Sequence, residues 1–162
     1  MQFDDEHHFN QPASTVIKMF SDKNYFVRKY EELGSGNVEV LDHSMDGSQF
    51  SITCRYEAPS DAPIPGFAKK FMGQTNVVTQ TDRWDTGTMT GELTAEIEGL
   101  PATVSAEMEL VDDGDGSTNT LSWTIKCGIP LVGGKIEKLV AEDIRAKSGA
   151  DVAKSSEILA DY

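Results

Sequence analysis

Asp5 and His7 stand two residues apart in the alternating stretch Phe3–Phe9, so on a strand their side chains share one face. A carboxylate beside an imidazole raises its pKa and makes a general acid or base. The same spacing also suits a structural hydrogen bond near a sheet edge. His8 points to the other face, so the adjacent histidines cannot chelate one metal ion from that strand. A second polar pair for chemistry is Arg83 with Tyr56, although the alternation from Thr75 to Trp84 leaves the face of Arg83 open. Either pair, placed beside an enolisable substrate, would draw most of its rate from positioning.

Three other patterns fail their templates. In Asp112-Asp113-Gly114-Asp115-Gly116, aligning Gly116 with the glycine of a calcium loop puts Val111 at the first ligand position and Ser122 at the last. That segment is a hairpin turn instead. Gly133-Gly134-Lys135 lacks both the earlier glycine and the following Ser or Thr of a phosphate loop. Its glycines are expected to let a helix start close to the sheet. Cys54 and Cys127 are far apart and form no CxxC pair, so both are expected to be buried free thiols. No metal or cofactor is called for.

The elements that must position these residues follow from periodicity. Phe3–Phe9 is a strand. Pro12 opens a short helix with Val16, Ile17 and Phe20 on its apolar side, and a second short helix spans Asn24–Leu33. Strands follow from Val38, across the Asp46-Gly47 turn to Phe50–Tyr56, over Thr75–Trp84, from Met89 to Ile97, from Val104 to Leu110, and from Leu121 to Cys127. Their clean alternation implies an antiparallel sheet with one wet and one dry face. The segment Ala58–Gly73 is a loop bearing Ile64, Phe67, Phe71 and Met72, either a lid or a contact surface.

A long terminal helix covers the dry face. Ile136, Leu139, Val140 and Ile144 recur at helical spacing, and the stripe then weakens through Lys147, Ala150, Asp151 and Lys154 until Ile158. Gly149 costs about 1 kcal/mol there relative to alanine. Small and polar residues on the buried side leave room for a ligand. A kinked or frayed helix end is the competing explanation.

The chain has 162 residues and a net charge of -13, which repels phosphate backbones and anionic membrane surfaces unless a basic patch hides in the average. Lys69-Lys70 and Arg28-Lys29 are the only basic spots in the sequence itself. Hence no nucleic-acid partner and no stable membrane anchor are expected, and no protein partner is identified. The acidic start, without an apolar core, makes cytoplasmic the default location.

The segments Phe9-Asn10-Gln11-Pro12-Ala13, Ile129 to Glu137, and Pro65-Gly66-Phe67 to Gly73 with Trp84 resemble the START-like superfamily, also called helix-grip or SRPBCC proteins, and an uncharacterised bacterial branch of it. That superfamily includes birch-type pollen allergens, polyketide cyclases and lipid-transfer domains. The resemblance implies an α+β helix-grip fold over residues 1–162, a single domain. A seven-stranded curved antiparallel sheet would wrap the C-terminal helix, with two short helices after the first strand. It further implies a cavity for a small apolar ligand of lipid, isoprenoid or polyketide class. Tyr56, Met89, Leu93, Met108, Trp123, Ile125, Leu139 and Ile144 are the expected wall. The alternative is a cyclase or dehydratase using Asp5–His7 or Arg83–Tyr56 in the same cavity.

Overall fold

A computed structural model describes residues 1–60 and 63–162; Asp61 and Ala62, inside the expected Ala58–Gly73 loop, lie outside the described residues. The order is β1 (Gln2–Phe9), α1 (Ala13–Phe20), α2 (Lys23–Glu32), β2 (Gly36–Asp46), β3 (Gln49–Pro59), β4 (Thr75–Asp85), β5 (Thr90–Ile97), β6 (Ala102–Asp113), β7 (Gly116–Cys127) and α3 (Gly133–Leu159). All neighbours pair antiparallel in one seven-stranded sheet, β1-β7-β6-β5-β4-β3-β2. This is the expected helix-grip arrangement.

Register puts every apolar alternation on one side. Phe3, Trp123, Ala106 and Leu93 line up across β1, β7, β6 and β5. Their chain neighbours Asp4, Ser122, Glu107 and Glu92 form a row on the outer face. In the β4–β5 pair Trp84 lies opposite Gly91, and a Cβ on Gly91 would sit 2.8 Å from the Trp84 ring. Only glycine lets the indole lie flat over β5.

Several boundaries differ from the sequence reading for local reasons. Pro12 is the N-cap of α1 rather than its first helical residue, with Thr15 N donating to its carbonyl at 2.9 Å. The free Ala13 N–H at this helix start donates to Asp112 Oδ1 at 2.8 Å. So an acid of the expected hairpin caps α1, and the hairpin itself turns through Gly114 at φ 62°. Met89 is outside β5, in a turn at φ 59°.

Gly133 meets the expectation of close approach, because an added Cβ would collide with the Cys127 carbonyl; Gly134 has open space around it. Cys54 is buried, but Cys127, at the sheet end beside Gly133, is only half-buried. Gly149 is exposed within an unbroken α3, which removes the frayed-end explanation.

Candidate ligand-binding site

The inner face carries two apolar clusters rather than one continuous core. At the α1/α2 end, Phe20 stacks on Trp84 at 5.3 Å and Phe26 on Phe50 at 5.9 Å. At the other end Ile136, Val140 and Ala141 of α3 pack on Val104, Ile125, Leu100, Ala68 and Met72. The segment after β3 thus buries Ala68 and Met72 against the start of α3, while Ile64 and Phe71 are half-buried and Phe67 stays exposed.

Between the clusters α3 runs close to β7, β1 and α2, with little approach to β3–β6. Val78, Gln80, Ala95 and Ile97 on the inner faces of β4 and β5 remain only half-buried. On its inward side α3 presents Ile144, Ser148 and Asp151, also half-buried; Ser148 reaches β1 and Asp151 reaches α2. The inner faces of β4 and β5 are thus left partly open to solvent, from Gln80 and Ala95 in mid-strand to Val78 and Ile97 beside the β5–β6 turn. The inward stripe is Ile136, Val140, Ile144, Ser148, Asp151, Ser155 and Ile158; Lys147 and Ala150, expected on this side, are exposed. Four-residue steps from Ile144 land on Ser148, and a three-residue step then lands on Asp151.

A polar network closes the α2 end of this space. Lys29 Nζ lies 3.1 Å from Asp151 and about equally over the rings of Tyr25 (5.2 Å) and Tyr30 (5.3 Å). Tyr25 Oη and Ser155 Oγ are 2.9 Å apart. On the sheet, Tyr56 Oη donates to Gln80 Oε1 at 3.0 Å, and Gln80 Nε2 donates to Asp82 Oδ2 at 2.9 Å. Tyr30 and Tyr56 stack at 4.1 Å. Among the described residues, Tyr30 Oη and Trp123 Nε1 are buried without a hydrogen-bond partner.

Burial opposes the Lys29 charge, but the Asp151 carboxylate, then Tyr25 and Asp82, hold its ammonium above the ordinary value. Burial pushes Asp82 up to about 6, because Lys29 offsets only part of the cost and is held closest by Asp151. The folded chain therefore keeps the Asp82 proton up to about pH 6, while the unfolded chain loses it near the ordinary value of 3.8. Across that window the native state holds more protons, so Asp82 makes stability fall as pH rises, and the loss is complete above it. Asp82→Asn should raise stability at pH 8 by about 1–3 kcal/mol and flatten the slope between about pH 4 and 6. Urea unfolding across that range checks it.

The Asp5–His7 pair forms at the β1 edge. His7 Nε2 is 3.0 Å from Asp5 Oδ2, and Ser148 Oγ donates to the same carboxylate oxygen at 2.5 Å. Burial pushes Asp5 up, yet the hydrogen bonds from Ser148 and His7 outweigh it and hold the carboxyl below its usual value. Ser148 and Asp5 both approach Nε2, so the three groups are not arranged as nucleophile, base and orienter on separate imidazole nitrogens. They clasp α3 to the sheet edge.

Arg83 and Tyr56 are not brought together. Tyr56 is buried on the inner face, whereas Arg83 is on the outer face, half-exposed and 3.0 Å from Glu92. The alternation of β4 is settled by Asp82 and Trp84, both buried, which puts Arg83 between them on the wet side. Sequence reading gave no role to Lys29 or Asp82, while Asp151 lies on the inward side of α3 where it was expected. Asp82 carried a usable signal, since it alternates with Trp84.

The expected wall residues divide between the clusters. Tyr56, Leu93, Met108 and the half-buried Met89 belong to the α1/α2 end; Ile125, Leu139 and Ile144 belong to the α3 end. Trp123 touches both and stacks on Phe3 at 6.1 Å. Leu93, Met108 and Ile125 are buried, and Trp123, Leu139 and Ile144 are half-buried. Two depressions, of about 550 and 640 Å³, lie on the outer face, and Thr, Ser and Glu make up half of each lining. They are furrows of the wet side, remote from the polar network. No described helix is long and apolar enough to cross a membrane.

A single antiparallel sheet gripping one long C-terminal helix defines the helix-grip, or START-like, fold. Within it, residues 4–153 match the family described as "Protein of unknown function (DUF2505)", and the chain belongs to that family. The fold is similar to TTHA0849 from Thermus thermophilus, with TM-score 0.68, 17% identity, and coverage of 98% of this chain and 97% of the other. It is also similar to Ara h 8.0201, with TM-score 0.66, 18% identity, and coverage of 100% and 99%. A START superfamily protein from Mycobacterium smegmatis gives TM-score 0.60, 13% identity, and coverage of 97% and 98%. No curated protein sequence matches the chain.

Proposed function

We propose that the chain binds a small hydrophobic molecule, of lipid, isoprenoid or polyketide class, between the inner face of β3–β5 and the middle of α3. One observation carries this reading: Val78 at the margin of one cluster, Ile97 and Ile144 at the margin of the other, and Ala95 touching both, all stay half-buried although they lie on the inward side. Exposed apolar surface inside a fold is costly at roughly 25 cal/mol per Å², and an apolar guest removes that cost. Trp123, Leu139 and Ile144 form one side of the guest's bed, and Tyr56 with Gln80 supplies a polar boundary. Tyr30 Oη and Trp123 Nε1 are donors that an oxygen-bearing guest would satisfy. The fold shared with the START superfamily protein supports the same reading by analogy.

Native mass spectrometry of freshly purified protein tests it. A co-purified small molecule, or a mass shift on adding a fatty alcohol, is the expected result. A protein that stays empty with every apolar compound offered would refute the proposal.

A further inference from the structure

The overall acidity conceals a separation of charge along the molecule. Three hairpins, β2–β3, β4–β5 and β6–β7, gather at one end of the antiparallel sheet. Their turns carry Asp46, Asp85, Asp112, Asp113 and Asp115 and no Lys or Arg. The opposite end holds the β3–β4 segment, the β5–β6 turn and the start of α3. Here Lys69, Lys70, Lys126 and Lys135 are exposed without an ion-pair partner among the described residues, whereas the acids of this end, Glu98 and Glu137, are paired with Arg55 and the N-terminal ammonium. Lys135 Nζ lies 5.8 Å from the centre of the Phe67 ring, which joins the β3–β4 segment to α3 in one surface. Lys135 also sits in the first turn of α3, where a cation opposes the helix dipole and no acid offsets it.

Two apolar side chains project from the same surface. Leu131 is 101% exposed and Phe67 is 36% exposed. Leu131 is held at φ 70°, a conformation that L-residues avoid, and gains no packing from it. Lysines around projecting apolar tips are the chemistry of contact with an anionic lipid surface. The acidic hairpins at the far end would turn this end toward such a surface during approach.

We propose that the end formed by the β3–β4 segment and the start of α3 docks reversibly on anionic lipid bilayers. The β3–β4 segment that closes the α3-end cluster would then face the membrane, whatever the interior holds. The test is co-sedimentation of the full chain with vesicles of phosphatidylcholine alone or with a third phosphatidylglycerol. Binding to the anionic vesicles should exceed binding to the neutral ones by about tenfold and vanish in high salt. Lys69→Glu with Lys70→Glu should abolish it. Leu131→Asn, which keeps a residue tolerant of positive φ, should weaken it several-fold with an unchanged melting curve. Equal binding to both vesicles, no binding to either, or no effect of these substitutions would overturn the proposal. So would retention on single-stranded DNA through the same lysines without vesicle binding.

Discussion

Lys29→Ala should lower the melting temperature by about 10 °C. Lys29 is 8% exposed and lies between Asp151 and the aromatic rings of α2. Removing it leaves the carboxylates of Asp151 and Asp82 without their shared cation in a poorly solvated place. Breaking a buried pair from one side costs about 3–5 kcal/mol, and each kcal/mol shifts a domain of this size by about 2–4 °C. The deficit should shrink as pH falls below 6, because Asp82 then takes up a proton in both proteins. Lys29→Met restores the packing of the stem but not the charge, so it should recover only part of the loss. Thermal denaturation at pH 8 and pH 5 decides the matter. A loss below about 1 kcal/mol would show that Asp151 is solvated well enough to stand alone.

The second large effect is on ligand uptake. Ala95 lies mid-strand on β5, opposite Gln80 and Val104, and touches both apolar clusters. Ala95→Trp should project an indole into the half-open stretch below α3. The substituted protein should melt within a few degrees of the parent, while its capacity for a fluorescent fatty alcohol falls by at least about tenfold. Filled space responds oppositely: overpacking a close-packed core costs about 1–3 kcal/mol. A strongly destabilised Ala95→Trp protein that still takes up the alcohol would place the binding surface elsewhere.

The sheet was legible in the sequence because its alternation is clean. Leu93, Ala95 and Ile97 against Thr94, Glu96 and Glu98 leave one choice of inner face, and register follows. Boundaries failed where tertiary partners decide them, as when Asp112 of β6 caps α1 from a distance. The polar network was hidden for a related reason. Lys29, Asp82 and Asp151 come from α2, β4 and α3, and no local spacing links them. Lys29 resembles any surface lysine until the packing of α2 against α3 buries it. On α3 the weakened stripe was visible, but its direction was not. Lys147 and Ala150 look like a continuation of Ile144, yet both are exposed, and Ser148 joins the expected Asp151 on the inward side. Arg83 was ambiguous because Gln80 and Asp82 break the apolar pattern of the inner face of β4. Of the basic end only Lys69-Lys70 was visible in the sequence, because Lys126 and Lys135 join that end only after folding.

The most direct measurement is a crystal structure of the protein with a long-chain alcohol brominated at its tail, read through the anomalous signal of bromine. A bromine peak inside the fold, bounded by Ala95, Gln80, Ile144 and Ser148, is the expected result. An interior without signal, or bromine found only in the Thr- and Glu-lined furrows of the outer face, would contradict it.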